Sequence, residues 1–300
     1  MRKLLFILIF GFLFYLAYQY RDNIYELYYN NFVSIEDKIT KLEKNEYYRD
    51  YNFSYAKNTE NFIPNNKTDI LNIYYTIVNS GMTDFTFFCP KEYTNCIIDV
   101  NDIANDQNKI SNINNFVHPF NSFKTLKTEV DSKGQINIHI EKVYDEEMVI
   151  ILKYKVDEII SNEIKETDDL NTKIRKIHDY IINNTTYDKE RSDKKIVKYK
   201  SDNAYGVLIE KYGLCGGYTD AMMLFLEKFK TPNYKIATEN HIWNYVNVAN
   251  KWLHLDLTWD DPITTNGKPI LDDAFFLIDD DELKSKEKEQ HSYSADIYAQ

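Results

Sequence analysis

Three side chains in the second half of the chain have the types and order of an acyl-transfer site. Cys215 stands in Tyr212-Gly-Leu-Cys-Gly-Gly-Tyr218, His241 opens His-Ile-Trp-Asn244, and Asp256 lies in Leu255-Asp-Leu-Thr-Trp-Asp-Asp-Pro262. A thiolate is the nucleophilic form of cysteine, and the unpaired amides at a helix start favour a negative charge. An imidazole takes the thiol proton and returns it to a leaving amine, and a carboxylate behind it fixes the tautomer. The Cys215 amide is a natural donor to an oxyanion, and Gly216 would let a substrate approach the backbone closely. Tyr205 is a candidate side-chain donor to the same oxyanion, and Trp243 a candidate wall of a substrate groove. For each, a core position is the competing reading.

The elements that must position these groups follow from periodicity. Thr219 to Phe229 repeats apolar residues at helical spacing, so Cys215 lies just before a helix. His241 to Val248 and Trp252 to Thr258 alternate as two strands, and a two-residue loop at Ala249-Asn250 would join them. In that register Asp256 faces Trp243, and His241 lies diagonally across on the same face. A slip of one residue would separate the pair. Each residue alone reads as packing; the order and the shared face favour a site.

These motifs resemble the transglutaminase-like superfamily. The resemblance rests on Asn203-Ala-Tyr-Gly206 and on the three runs around Cys215, His241 and Asp256. Ile177-His-Asp-Tyr-Ile181 with Tyr187-Asp188 is similar to the helix and loop that precede the family's core. The match spans residues 168–262, about a third of the 300. It implies an α+β, papain-like core: a helix bearing the cysteine packed on an antiparallel sheet bearing the histidine and the acid. By position Cys215 matches the nucleophile, His241 the base and Asp256 the orienting acid, with no cofactor or metal. Thr219 and Ile242 depart from the alanines common at those positions. The family holds peptidases, amidases and protein cross-linkers. The calcium sites of the animal cross-linking enzymes are not recognisable, which favours hydrolysis. The expected function is thiol-dependent acyl transfer on peptide or protein amides through a thioester. The alternative is a non-catalytic peptide-binding or envelope-organising module on the same fold.

Composition narrows the partners. The formal charge is −11, and no glycine-rich phosphate loop occurs, so nucleic acid is not an expected partner. Arg2 and Lys3 precede an apolar run to Ala17, followed by Tyr18, Tyr20 and Arg21. Ala17-Tyr-Gln19 fits a cleavage site poorly, so residues 1–21 read as an uncleaved single-pass anchor with the rest outside the cell; secretion is the alternative. The nearest substrate is then peptide in the cell envelope. Cys89 and Cys96 bracket a short loop and read as a disulfide, with two buried thiols as the alternative. That pairing leaves Cys215 odd.

The organisation expected from sequence has five parts. Residues 1–21 are the anchor or signal, 22–66 a helical stalk and polar linker, and 67–165 a small α+β module. Residues 166–283 form the transglutaminase-like core, and 284–300 a charged, solvated tail. His254 reads as a surface residue, and His118 and His178 show no partner in sequence.

Overall fold

The computed structural model describes residues 2–21, 23–24, 38–131, 133–262, 271–286 and 289–298. Helix α1 is Arg2–Gln19, with Phe6, Phe10 and Phe14 exposed. Its 18 residues rise about 27 Å, against roughly 30 Å of hydrocarbon. Among the described residues no helix is long and apolar enough to cross a membrane. The spanning anchor expected at residues 1–21 is therefore not seen.

The stalk is also corrected. Residues 25–37 lie outside the described residues, and from Ile39 onward the segment is irregular rather than helical. It packs as a strap. Ile39 and Leu42 meet the core, and Thr40 N–H donates to Thr86 O at 2.9 Å. Buried Arg49 donates to Phe116 O (3.2 Å) and Asn233 O (3.0 Å), and pairs with Glu227 at 2.5 Å. One guanidinium thus ties strap, module and core together. Its planar fork can serve several acceptors at once, which an ammonium cannot do in that geometry.

The module begins with α2 (Lys67–Ser80). Asn66 caps it by accepting from Asp69 N–H, and Ile70, Ile73, Tyr74, Ile77 and Val78 form its buried stripe. A three-stranded antiparallel sheet follows, in the order β1 (Asp84–Phe88), β3 (Gln135–Lys142), β2 (Phe123–Val130). Phe85 opposes Ile138 and Phe87 opposes Ile136, all buried on one face. Two helices, α3 (Cys96–Asn105) and α4 (Gln107–Asn112), meet at Asp106, which ends one and caps the next.

Helix α5 (Glu146–Glu163) is capped by Asp145 and buries Met148, Leu152, Val156 and Ile159. Helix α6 (Leu170–Asn183), capped by Asp169, buries Ile174, Ile177, His178 and Ile181. Short β4 (Thr186–Tyr187) and α7 (Lys189–Lys194) follow. A helical turn at 204–205 continues as a π-helix, Gly206–Glu210, before β5 (Tyr212–Gly213). Helix α8 (Cys215–Lys228) then runs against a four-stranded antiparallel sheet, β6 (Asn233–Ala237), β7 (Ile242–Val248), β8 (Lys251–Leu255) and β9 (Phe276–Ile278).

Both faces of that sheet are covered. Val246, Leu255 and Leu257 pack with α5, α6 and α8. Tyr234, Ile236 and Trp243 pack with the module's Ile73, Phe85 and Phe116. Module and core therefore share one apolar interior. The tail is corrected as well: α9 (Asp280–Lys286) and α10 (Ala295–Tyr298) bring Leu283, His291 and Tyr298 into burial. The Tyr298 hydroxyl accepts from Asn115 Nδ2 (2.9 Å) and Ala237 N–H (3.0 Å) and donates to Ala237 O at 3.4 Å.

Candidate active site

Cys215 is the first residue of α8, with extended Leu214 as its cap. The helix start is fixed from outside by the 201–203 loop, where Leu214 N–H donates to Ser201 O at 2.7 Å. That loop explains the two glycines. A Cβ on Gly217 would meet Ser201 O at 2.3 Å, and one on Gly216 would meet Asp202 O at 2.9 Å. Gly216 thus admits the chain's own backbone, a different close approach from the one expected of a substrate.

Thr219, one turn into α8, places its hydroxyl 2.7 Å from Cys215 O and 3.0 Å from Ile242 O. It joins the thiol residue to the strand that follows His241. Asn244 Nδ2 adds a second tie, to Thr219 O at 3.1 Å.

The hairpin folds in the expected register. Val248 pairs with Lys251 and Asn244 with Leu255, leaving Ala249-Asn250 as the loop. Both loop residues are left-handed, φ 51° and 64°, which suits a right-twisted two-residue turn. His241 lies just before β7 and Asp256 just after β8. His241 Nε2 stands 2.5 Å from Asp256 Oδ2, and Cys215 is near enough to help raise the same imidazole. His241 and Asp256 are in contact, and Thr219 holds the helix headed by Cys215 against the residue that follows His241.

Asp256 is fully buried, and its oxygens are accounted for. Oδ1 accepts from Thr258 N–H (3.0 Å) and Trp259 N–H (3.2 Å). Oδ2 accepts from His241 and also from Nε2 of His291, at 2.9 Å. Burial pushes this carboxyl up, but the two histidines overcome it and hold the group at about 2. Burial pushes His241 down, and Asp256, then Cys215, reverse that and raise it to about 10. An ionised carboxylate only accepts, so both Nε2 atoms carry protons. That leaves Nδ1 as the His241 nitrogen available to the thiol.

His241, Asp256 and His291 hold ligand-type atoms within 4.8 Å of one another. Their contacts at 2.5 and 2.9 Å are hydrogen-bond separations. Ligand atoms around a tetrahedral zinc stand roughly 3.3 Å apart. The trio is therefore a hydrogen-bonded group.

The remaining expectations divide. Trp243 is buried and does not wall a groove; its indole donates to His254 Nδ1 at 2.9 Å, and its ring stacks on His241 at 5.6 Å. Tyr205 packs with the α5–α8 core, with the Lys200 ammonium 4.7 Å from its ring centroid. His254 is not a surface residue but fully buried, bonded to Asp280 at 2.7 Å. His178 has a partner, Asp260, at 3.1 Å. Cys89 and Cys96 are joined by a disulfide, and Cys215 is a free thiol. His291 was not among the expected residues. Its only signal was the set of aromatic and apolar positions, Tyr293, Ile297 and Tyr298, inside an otherwise polar tail.

A cleft of about 310 Å³ opens beside the start of α8, with Asn112, Asn114, Asp202, Gly216 and Ile242 among its lining residues. A second, of about 490 Å³, continues past Thr238 and Tyr293. Ser111, Asn112 and Ala237 line both, so the two form one groove between the module and the edge of the sheet.

The fold is similar to two solved structures. One is described as "Crystal structure of a TGase", with TM-score 0.34 and 17% identity over 45% of this chain and 44% of that one. The chain thus spans less than half of that protein. The other is a putative cysteine protease from Cytophaga hutchinsonii, with TM-score 0.28 and 12% identity over 51% of this chain and 69% of that one. Comparison with protein-family models and with curated proteins finds no match. Neither structural likeness carries the chemistry, which rests on the residues above.

Proposed function

We propose that the chain is a thiol-dependent acyl-transfer enzyme acting on peptide or protein amides. The observation that carries this reading is a histidine whose Nε2 is 2.5 Å from a buried carboxylate, just before a strand that Thr219 ties to the helix headed by a free thiol.

The steps follow from the geometry. Cys215 gives its proton to His241 Nδ1, and Sγ attacks the amide carbon. The oxyanion that forms takes a hydrogen bond from the Cys215 N–H at the helix start. His241 then protonates the departing nitrogen, the C–N bond breaks, and a thioester remains on Cys215. Water, deprotonated by the same Nδ1, attacks the thioester carbon. The acid leaves and Sγ regains its proton. Asp256 stays ionised throughout and steadies the imidazolium. The cleft of about 310 Å³ beside Gly216 has room for water, which supports hydrolysis over cross-linking. Its position between module and core supports a share in substrate binding for the module.

The exposed phenylalanines of α1 support attachment to a lipid surface, and the disulfide supports an oxidising compartment. Peptide at the cell envelope is the substrate class that fits both.

The test is the pH dependence of Cys215 alkylation by iodoacetamide, read by mass. Rapid alkylation below neutral pH that His241→Ala abolishes supports the reading. Alkylation indifferent to His241 leaves a binding module instead. A thioester trapped from a peptide amide library would identify the substrate.

A further inference from the structure

We infer that His291, delivered by the C-terminal segment, is a positioning residue for the acid of this site: it anchors Asp256 Oδ2 so that the carboxylate stays aimed at His241. The inference rests on the thiol-enzyme reading above.

The geometry is specific. His291 Nε2 and His241 Nε2 converge on one oxygen, at 2.9 and 2.5 Å. Two backbone amides hold the other oxygen. Without His291, a single side chain would hold Oδ2, and that side chain is the one that must move a proton during turnover. A second N–H donor lets the carboxylate keep its place when His241 changes charge.

His291 is itself held in place. Its ring stacks on Phe275 at 5.2 Å and 12°, and meets the Trp243 indole edge-on at 4.7 Å. The segment that carries it is pinned on both sides. Thr238 Oγ1 donates to Gln290 O at 3.0 Å, two bonds from the turn that bears His241. Tyr293 donates to Asp280 at 3.1 Å, and Tyr298 accepts from Ala237 N–H. A packed ring on a pinned segment fixes where its N–H points. The charged and titratable groups around it are Asp256, His241, Cys215, His254 with Asp280, and Asp260. His291 Nε2 is hydrogen-bonded to Asp256.

The experiment compares His291→Gln and His291→Phe in the full chain. Glutamine places an amide N–H near the Nε2 position; phenylalanine keeps the ring and removes the donor. Both are measured for iodoacetamide alkylation of Cys215 across pH, with Tm alongside. His291→Phe is expected to slow alkylation about tenfold, the size of one charge-assisted hydrogen bond, and to move the basic limb to lower pH, because His241 loses part of its carboxylate support. His291→Gln is expected to retain most of the rate and the wild-type limb. Equal profiles for wild type and His291→Phe would overturn the inference. So would equal losses in Gln and Phe that track Tm, which would make His291 a packing residue. The enzyme reading fails separately, if His241→Ala leaves wild-type alkylation unchanged.

Discussion

The Thr219 hydroxyl lies 3.0 Å from the Ile242 carbonyl and 2.7 Å from the Cys215 carbonyl, so one small side chain staples the thiol's helix to the histidine's strand. Alanine at this position would leave both carbonyls without that donor. Thr219→Val keeps the shape and removes the hydroxyl. It is expected to cost about 1 kcal/mol of stability and to slow Cys215 alkylation several-fold, while Thr219→Ser restores both. Urea unfolding and alkylation rates check it. An unchanged rate in Thr219→Val would show that helix packing alone aligns the pair.

The raised His241 and lowered Asp256 make stability depend on pH in a defined sense. His241 moves from 6.5 up to about 10, so its contribution is complete below 6.5 and fades as pH rises through 10. Asp256 moves from 3.8 down to about 2, so its contribution is complete above 3.8 and fades as pH falls through 2. Both ends report the same ion pair and are counted once. His241→Gln is expected to flatten the alkaline slope, measured as urea midpoints across that range. A slope unchanged by the substitution would place the titration elsewhere.

Much of the site was legible because its signals are local. The alternation of Trp243, Tyr245, Trp252 and His254, with a two-residue gap at Ala249-Asn250, sets the register that brings His241 to Asp256. A cysteine before an apolar helical stripe gives the third member. What was not legible depends on contacts distant in sequence. His291 reaches Asp256 across 35 residues, and Arg49 reaches Asn233 across 184. Nothing in the neighbourhood of Arg49 marks it, and His291 has only the aromatic and apolar positions Tyr293, Ile297 and Tyr298 nearby. The strap was misjudged because Ile24 to Ile39 carries a helical apolar spacing, whereas the buried guanidinium that anchors the following residues has no periodicity to read. The short β6 and β9 lacked signal for a similar reason: a strand of five residues such as Asn-Tyr-Lys-Ile-Ala237 gains its identity from the neighbour it pairs with. Trp243 and His254 were read as groove and surface because alternation predicts one covered face, and here the module and the tail cover the second.

That second cover has a functional consequence at the groove. Asn112, on the module's α4, lines both of its halves, and Gly216 lines the half next to the thiol. On the proposed reading, a substrate chain lying in the groove would pass Asn112 on its way to Gly216, the neighbour of Cys215. Asn112→Trp would fill the passage without touching Cys215, His241 or Asp256. It is expected to raise KM for peptide amides by about tenfold or more, comparable to losing roughly 1.4 kcal/mol of binding, with kcat within a factor of about two. Iodoacetamide is small enough to reach the thiol by other approaches, so its alkylation rate should stay at the wild-type value. Steady-state kinetics beside the alkylation rate separate the outcomes. Loss of both together would mean that the substitution disturbs the fold, which Tm would register. Unchanged KM would assign substrate binding to a different face of the site.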